Sequence, residues 1–83
     1  MNPPVSTTPI AIPKASQAIT EGTIIEWMVE DGGRVAAGQV LYRLETDKVE
    51  MDVEAPVSGV LRISGTVGQT YLVGTEIGRI ESD

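Results

Sequence analysis

The sequence predicts an all-β domain, a flattened β-barrel or sandwich whose two halves are related by a pseudo-twofold axis. Short segments of apolar and β-branched residues are separated by frequent glycine and proline, and almost no helical periodicity is present. The chain also repeats itself, because residues 38–45 align with residues 74–81 and Gly32 aligns with Gly68 at the same offset. Two copies are too few for a solenoid, so the repeat indicates two interlocked halves of one domain.

The chain order of the strands follows from the same signals. Residues 1–9 lack the basic flank and apolar stretch of a secretory signal, so we expect a disordered leader or linker before a domain over residues 10–81. Glycine brackets residues 22–30, which favours a strand over a helix there. In order we expect a strand over 10–12 ended by Pro13, a loop over 14–21, a strand over 22–30, a turn over 31–33, a short strand and turn within 34–39, strands over 40–45, 49–54 and 59–63, a loop over 64–69 and a last strand over 76–80.

The composition excludes several classes of function. A formal charge of -6 and a pI near 4.4 argue against nucleic acid or an anionic membrane as a partner. The chain has no cysteine and no histidine, which rules out zinc sites and Ser–His or Cys–His catalytic pairs. No segment approaches the roughly 20 apolar residues of a membrane span. The absence of cysteine fits a protein of the bacterial cytoplasm or the mitochondrial matrix.

A hairpin over residues 40–54 organises the chain and places Lys48 at its tip. Apolar and charged residues alternate over residues 42–45 and 49–54, the two-residue period of strands with one buried face. With Asp47 and Lys48 as the central turn residues, the register is self-consistent. The predicted cross-strand pairs, inner pairs first, are Leu44 with Met51, Tyr42 with Val53, and Arg43 with Asp52.

The residues at the tip of the hairpin disfavour its formation. The same register sets Glu45 opposite Glu50 with Asp47 nearby, and like charges directly opposite each other disfavour a hairpin. Asp-Lys also lacks the glycine of the tightest hairpin turns and suits a type I turn better. A local choice that opposes folding often marks a functional site.

Lys48 suits an attachment point better than a catalytic role. A lysine that acts as a base or a Schiff-base nucleophile needs burial or a neighbouring cation to release its proton. The neighbours of Lys48 are carboxylates, which stabilise the ammonium form instead. Two interpretations remain from the residues alone: an exposed amine that another enzyme acylates, or an ordinary solvated surface lysine.

The wider context resembles a known carrier module. Residues 45–49, Glu-Thr-Asp-Lys-Val, followed by residues 54–59, Glu-Ala-Pro-Val-Ser-Gly, are similar to the signature of lipoyl domains of 2-oxo acid dehydrogenase complexes. The resemblance covers residues 10–81 and implies a barrel-sandwich hybrid of two sheets with about four strands each. It also implies lipoic acid in amide linkage on Lys48. The residues that it implies for recognition by the modifying enzyme are Glu45, Asp47, Val49, Gly32 and Gly59.

The longest break in the internal repeat is the loop over residues 14–21. Six more residues separate Pro13 from Gly22 than separate Pro56 from Gly59. In lipoyl domains the corresponding loop lies beside the modified lysine and helps the partner decarboxylase to recognise its carrier. The residues that this resemblance assigns to partner recognition are Lys14, Ser16, Gln17, Thr20 and Glu21. Many lipoyl domains carry Gly-Glu-Ser or Gly-Glu-Gly after the proline, which this loop lacks, so the complex served stays open.

The resemblance implies a non-catalytic carrier with a defined set of partners. These are a lipoate ligase or lipoyl transferase, a thiamine-diphosphate decarboxylase, an acyltransferase core and a dihydrolipoyl dehydrogenase, and the isolated domain is expected to be a monomer. By the repeat, residues 81–83 correspond to residues 45–47, so the chain ends should lie at the opposite end of the sandwich from Lys48. The end at Asp83 suggests either a piece of an acyltransferase or dehydrogenase, or a small separate carrier.

Two alternatives share the fold. Biotin carrier domains place methionine on both sides of their lysine, whereas Asp47 and Val49 occupy those positions here. Unmodified interaction domains, as in membrane-fusion adaptor proteins, lack the attachment lysine, whereas the whole Asp-Lys-Val tip is present here. Modification by a lipoate ligase or a biotin ligase would discriminate between the three.

Overall fold

A computed structural model describes residues 6–14 and 17–82 and shows a fold made of strands. In these ranges there is no helix, and hence none long and apolar enough to cross a membrane. The strands are β1 (Ser6–Ala11), β2 (Glu21–Trp27), β3 (Arg34–Val35), β4 (Val40–Glu45), β5 (Glu50–Glu54), β6 (Gly59–Ile63), β7 (Thr70–Leu72) and β8 (Glu76–Ser82).

The strands form two antiparallel sheets, one in the order β5-β4-β2-β7 and the other in the order β1-β8-β6-β3. Apolar side chains from both sheets form one buried cluster between them. The all-β fold with two four-stranded sheets is therefore confirmed. The fully buried members of this core are Ile12, Ile24, Leu41, Tyr42, Leu44, Leu61, Ile77 and Ile80.

The pseudo-twofold relation is visible in the hydrogen bonds of the turns. The amide of Gly32 donates to the carbonyl of Leu61, and the amide of Gly68 donates to the carbonyl of Ile24, the equivalent pair in the repeat. Gly38 and its counterpart Gly74 have φ angles of 89° and 90°. The repeated sequence thus folds twice into the same turns, and each sheet takes β-strands from both halves of the chain.

Three differences between the predicted and the observed strands are larger than two residues. β1 begins at Ser6, so residues 6–9 belong to a strand paired with β8 and not to the expected leader; residues 1–5 lie outside the described ranges. β2 ends at Trp27, because the chain bends at Met28 and Val29. β7 was not predicted, since three residues are too few to show a period.

The β4–β5 hairpin determines which end of the domain carries Lys48. At the opposite end, Ser6 pairs with Ser82, whose hydroxyl donates to the carbonyl of Ser58 at 2.7 Å. Ser58 follows the end of β5 that points away from the tip. The two ends of the described chain therefore lie at the far end of the sandwich from Lys48, as the repeat predicts.

Candidate functional site

The β4–β5 hairpin has the register expected from the sequence. Leu44 pairs with Met51, Tyr42 with Val53, Arg43 with Asp52 and Glu45 with Glu50. A bulge between Val40 and Tyr42 leaves Leu41 without a partner on β5, so that Leu41 and Tyr42 are both buried although they are adjacent in the chain.

Ion pairs on the outer face join the two strands below the tip. Nε of Arg43 donates to Asp52 at 3.2 Å, and a terminal nitrogen of the same guanidinium lies 3.7 Å from Glu50. The hydrogen bond and charge of Asp52, with the charge of Glu50, raise the pKa of Arg43 above its usual value. These side chains are about half exposed, so the pairs add little to stability.

A four-residue turn over residues 46–49, which we call the lysine tip, closes the hairpin. The amide of Thr46 donates to the carbonyl of Val49 at 2.8 Å. The Thr46 hydroxyl accepts from the amides of Lys48 at 3.2 Å and Val49 at 3.0 Å, and donates to the Val49 carbonyl at 3.1 Å. Asp47 and Lys48 both have negative φ, as in a type I turn.

The Lys48 side chain stands in solvent at the end of the domain. The residue is exposed, and its neighbour Val49 keeps 47% of its surface accessible. Within the described residues, no carboxylate lies close enough to Lys48 to form an ion pair. An amine in this position can enter the active site of a modifying enzyme without any change in the fold.

A groove of about 320 Å³ runs beside the lysine tip. We call it the tip groove. Its walls come from the end of the loop, the start of β2, the end of β4 with the tip, and β7. They carry hydroxyl and carboxylate groups and no large apolar side chain. The lining residues are Ala18, Thr20, Glu21, Gly22, Thr23, Glu45, Thr46, Asp47 and Thr70.

The structure brings part of the predicted recognition loop to this groove. Thr20 and Glu21 line it together with Glu45 and Asp47 of the hairpin. The loop is held there by Ile19, which is 3% exposed, and by a hydrogen bond from the amide of Val73 to the carbonyl of Thr20.

The remaining loop residues of the prediction are placed differently. Lys14 and Gln17 are exposed and are not part of the groove wall. Ser16 lies outside the described residues. The role of all five loop residues in partner recognition stays a prediction.

The structure does not bring Gly32 and Gly59 to the tip. Gly32 lies in the turn after β2, and Gly59 follows β5, in both cases beyond the strand end that points away from Lys48. Gly59 is the first residue of β6 rather than a turn residue, and a Cβ there would collide with the carbonyl oxygen of Glu81 and lie 2.8 Å from Ile80. The φ of 83° at Gly32 and the collision at Gly59 give both glycines a folding role, and their part in modification stays a prediction.

Thr46 is the residue at this site that the sequence argument missed. A threonine directly before the two central turn residues is a known signal of a stabilised turn, because its hydroxyl can accept hydrogen bonds from the backbone amides two and three residues further on. Thr23 and Thr70 were missed as well; their hydroxyls lie 2.7 Å apart in the tip groove. That contact depends on β7, which was not predicted.

A family model described as "Biotin-requiring enzyme" matches residues 8–80. The chain therefore belongs to the biotin/lipoyl attachment family. The solution structure of the lipoyl domain of the 2-oxoglutarate dehydrogenase complex from Azotobacter vinelandii matches with a TM-score of 0.68 and 31% identity, over 89% of this chain and 96% of that one. These findings confirm the resemblance to lipoyl domains and the barrel-sandwich fold. The lipoyl fold is that of a carrier domain.

Similar sequences occur within larger acyltransferase components. The succinyltransferase component of the 2-oxoglutarate dehydrogenase complex of Rickettsia conorii is 40% identical over 72 residues, which are 86% of this chain and 18% of that protein. The acetyltransferase component of the pyruvate dehydrogenase complex of Mycobacterium bovis is 38% identical over 73 residues, 87% of this chain and 13% of that protein. The chain thus spans less than a fifth of these relatives.

Proposed function

We propose that this domain carries lipoic acid on Lys48 and is itself non-catalytic. The observation that carries the proposal is the exposed lysine within an ordered turn, at the opposite end of the domain from the ends of the described chain. A lipoate ligase or lipoyl transferase would join the carboxyl group of lipoic acid to Nζ of Lys48 as an amide. The dithiolane of the bound cofactor supplies the redox and acyl-transfer chemistry.

The chain's own contribution is presentation and recognition. The lysine tip holds Lys48 away from the body of the domain, and Glu45, Asp47 and Val49 surround it with the features by which a modifying enzyme would select it. Thr20 and Glu21 add a second surface beside the tip, which a thiamine-diphosphate decarboxylase would contact. Attachment to a mobile carrier raises the effective concentration of the cofactor at each enzyme it visits.

The partners and location follow from this role. The domain would take acyl groups and electrons from the decarboxylase, pass the acyl group to an acyltransferase core, and be reoxidised by a dihydrolipoyl dehydrogenase of a 2-oxo acid or acetoin dehydrogenase complex. Such complexes belong in the bacterial cytoplasm or the mitochondrial matrix. The acidic composition supports basic docking surfaces on these partners.

Mass spectrometry tests the proposal directly. The domain is incubated with lipoate, ATP and a lipoate ligase, beside a reaction with biotin and a biotin ligase, and then analysed by intact mass and peptide mapping. The chain has two lysines, so Lys14→Arg is the matched control for Lys48→Arg. We expect one lipoyl group, on Lys48, in the wild type and in Lys14→Arg, and none in Lys48→Arg. Biotin on Lys48 without lipoate would establish the biotin carrier instead.

A further inference from the structure

We infer that Thr46 is a positioning residue for modification of Lys48, and that its hydroxyl holds the lysine tip in the form that the modifying enzyme binds. This inference rests on the proposed lipoylation of Lys48. One oxygen atom joins both sides of the turn, since it accepts from the amides of Lys48 and Val49 and donates to the carbonyl of Val49. In the part of the chain that the structure describes, these amides have no other partner.

The backbone alone closes the tip with one hydrogen bond. The amide of Thr46 donates to the Val49 carbonyl, whereas the amide of Val49 is directed to the Thr46 hydroxyl instead of the Thr46 carbonyl. Asp-Lys has neither the glycine nor the asparagine that the tightest hairpin turns prefer for their positive φ angles. The repulsion between Glu45 and Glu50, which pair directly below, further weakens the closure. The Thr46 side chain compensates for both weaknesses.

The repeat shows that this arrangement is specific to the lysine end. Ser82 is the counterpart of Thr46, and it too carries a hydroxyl. Its oxygen donates to the carbonyl of Ser58 in a neighbouring segment, 24 residues away in the chain. The hydroxyl at Thr46 is instead used entirely within the turn that presents Lys48.

Loss of the hydroxyl should affect the tip and leave the domain folded. The amides of Lys48 and Val49 lie at the surface, so water can replace the hydroxyl as their partner. What changes is the fraction of molecules with an ordered tip, and apparent affinity falls in proportion to that fraction. If the backbone of about one residue becomes disordered, the ordered fraction, and with it the apparent affinity, falls about tenfold.

The test compares Thr46→Val, which keeps the shape and removes the hydroxyl, with Thr46→Ser, which keeps the hydroxyl. Thr7→Val, an exposed threonine of β1 at the other end of the domain, is the matched control. Lipoylation kinetics should show KM raised about tenfold with kcat unchanged in Thr46→Val. Thr46→Ser and Thr7→Val should stay near the wild type.

A second measurement reports on the tip without the enzyme. NMR solvent exchange of the Lys48 and Val49 amides should be faster in unmodified Thr46→Val and normal in Thr46→Ser, with the melting temperature of both close to that of the wild type. Equal KM and equal exchange in Thr46→Val would overturn the inference while leaving lipoylation intact. A wild type that the ligase does not modify would refute the proposed function, and with it the inference.

Discussion

The indole ring of Trp27 packs against the phenol ring of Tyr42, with centroids 5.0 Å apart and ring planes inclined at 49°. The pair sits on neighbouring strands β2 and β4, where the two residues are register partners. The two rings have different polar environments. The Trp27 indole donates to the carbonyl of Gly65 at 3.0 Å, whereas the Tyr42 hydroxyl is buried without a hydrogen-bond partner among the described residues.

The first prediction is that Tyr42→Phe stabilises the domain. When a hydroxyl is buried without a hydrogen-bond partner, the free energy of its desolvation is not compensated. Phenylalanine fills the same space and has no hydroxyl to desolvate. We expect the free energy of unfolding to rise by about 1 kcal/mol. Denaturant unfolding followed by Trp27 fluorescence measures it.

Tyr71→Phe is the matched control for this substitution. The Tyr71 hydroxyl accepts from the amide of Thr66 at 2.9 Å, so its removal should lower stability by about 0.5 to 1 kcal/mol. The two variants make the same chemical change with opposite expected signs. A loss of stability in Tyr42→Phe as large as that in Tyr71→Phe would show that the Tyr42 hydroxyl is satisfied, for example by a buried water.

The second prediction concerns alkaline pH. Burial raises the pKa of Tyr42 from 10.0 to about 12, so the folded domain keeps this proton more tightly than the unfolded chain. A raised pKa contributes stability that is complete below pH 10 and is lost as the pH rises from 10 to 12. The contribution is at most about 2 kcal/mol after solvent screening.

Unfolding curves at several pH values check the alkaline prediction. The wild type should lose stability between pH 10 and 12, and Tyr42→Phe should lack that part of the loss. In Tyr71→Phe, which retains Tyr42 alone, tyrosinate absorbance should develop above pH 11. Equal pH dependence of stability in the wild type and Tyr42→Phe would contradict the assignment.

Most of the hairpin could be predicted from the sequence because its physics is local. Alternation over residues 42–45 and 49–54 fixes which side chains face inward, and turn chemistry fixes the register, so the pairs of Arg43 with Asp52 and Leu44 with Met51 followed directly. The bulge that buries Leu41 beside Tyr42 was not predicted. β7 was not predicted, although residues 70–71 correspond to β3 at the offset of the repeat and the repeat could have indicated a strand there.

The rest of the site could not be predicted because it depends on contacts between distant segments. The tip groove exists because Thr20 and Glu21 are held against the hairpin by the bond to Val73 and by burial of Ile19. No local period encodes that contact. The orphaned hydroxyl of Tyr42 likewise depends on what packs around it, whereas alternation predicts only that the ring faces inward.

The third prediction separates folding from recognition at Gly59. In Gly59→Ala the new methyl group would meet the Glu81 carbonyl and the Ile80 side chain, at a φ of 156°. We expect a loss of about 3 kcal/mol, from overpacking together with backbone strain. Gly38→Ala is the control, because its φ is 89° but nothing lies within 4 Å of the added carbon. That substitution should cost about 1 kcal/mol.

Lipoylation of these two variants then shows how Gly59 acts. If Gly59 serves modification through the fold, its defect should follow the unfolded fraction and disappear under stabilising conditions, such as added sulfate. Circular dichroism and lipoylation are measured on the same samples. A fully folded Gly59→Ala protein that the ligase rejects would instead assign Gly59 a direct part in recognition.

The fourth prediction is that Glu45 contributes to modification at a cost to the fold. Glu45 pairs directly with Glu50, and of these two glutamates Glu50 is the one that forms an ion pair with Arg43, at 3.7 Å. Glu45→Gln removes the like-charge contact and keeps the side-chain shape, so stability should rise by about 0.2 to 0.5 kcal/mol. The rate of lipoylation of Lys48 should fall, because the ligase loses a carboxylate beside its target.

Glu54→Gln, on the same hairpin but at its far end, should change neither rate nor specificity. Thermal unfolding and lipoylation kinetics are compared across the three proteins. A variant that is both less stable and normally lipoylated would reverse the assignment and make Glu45 a structural residue.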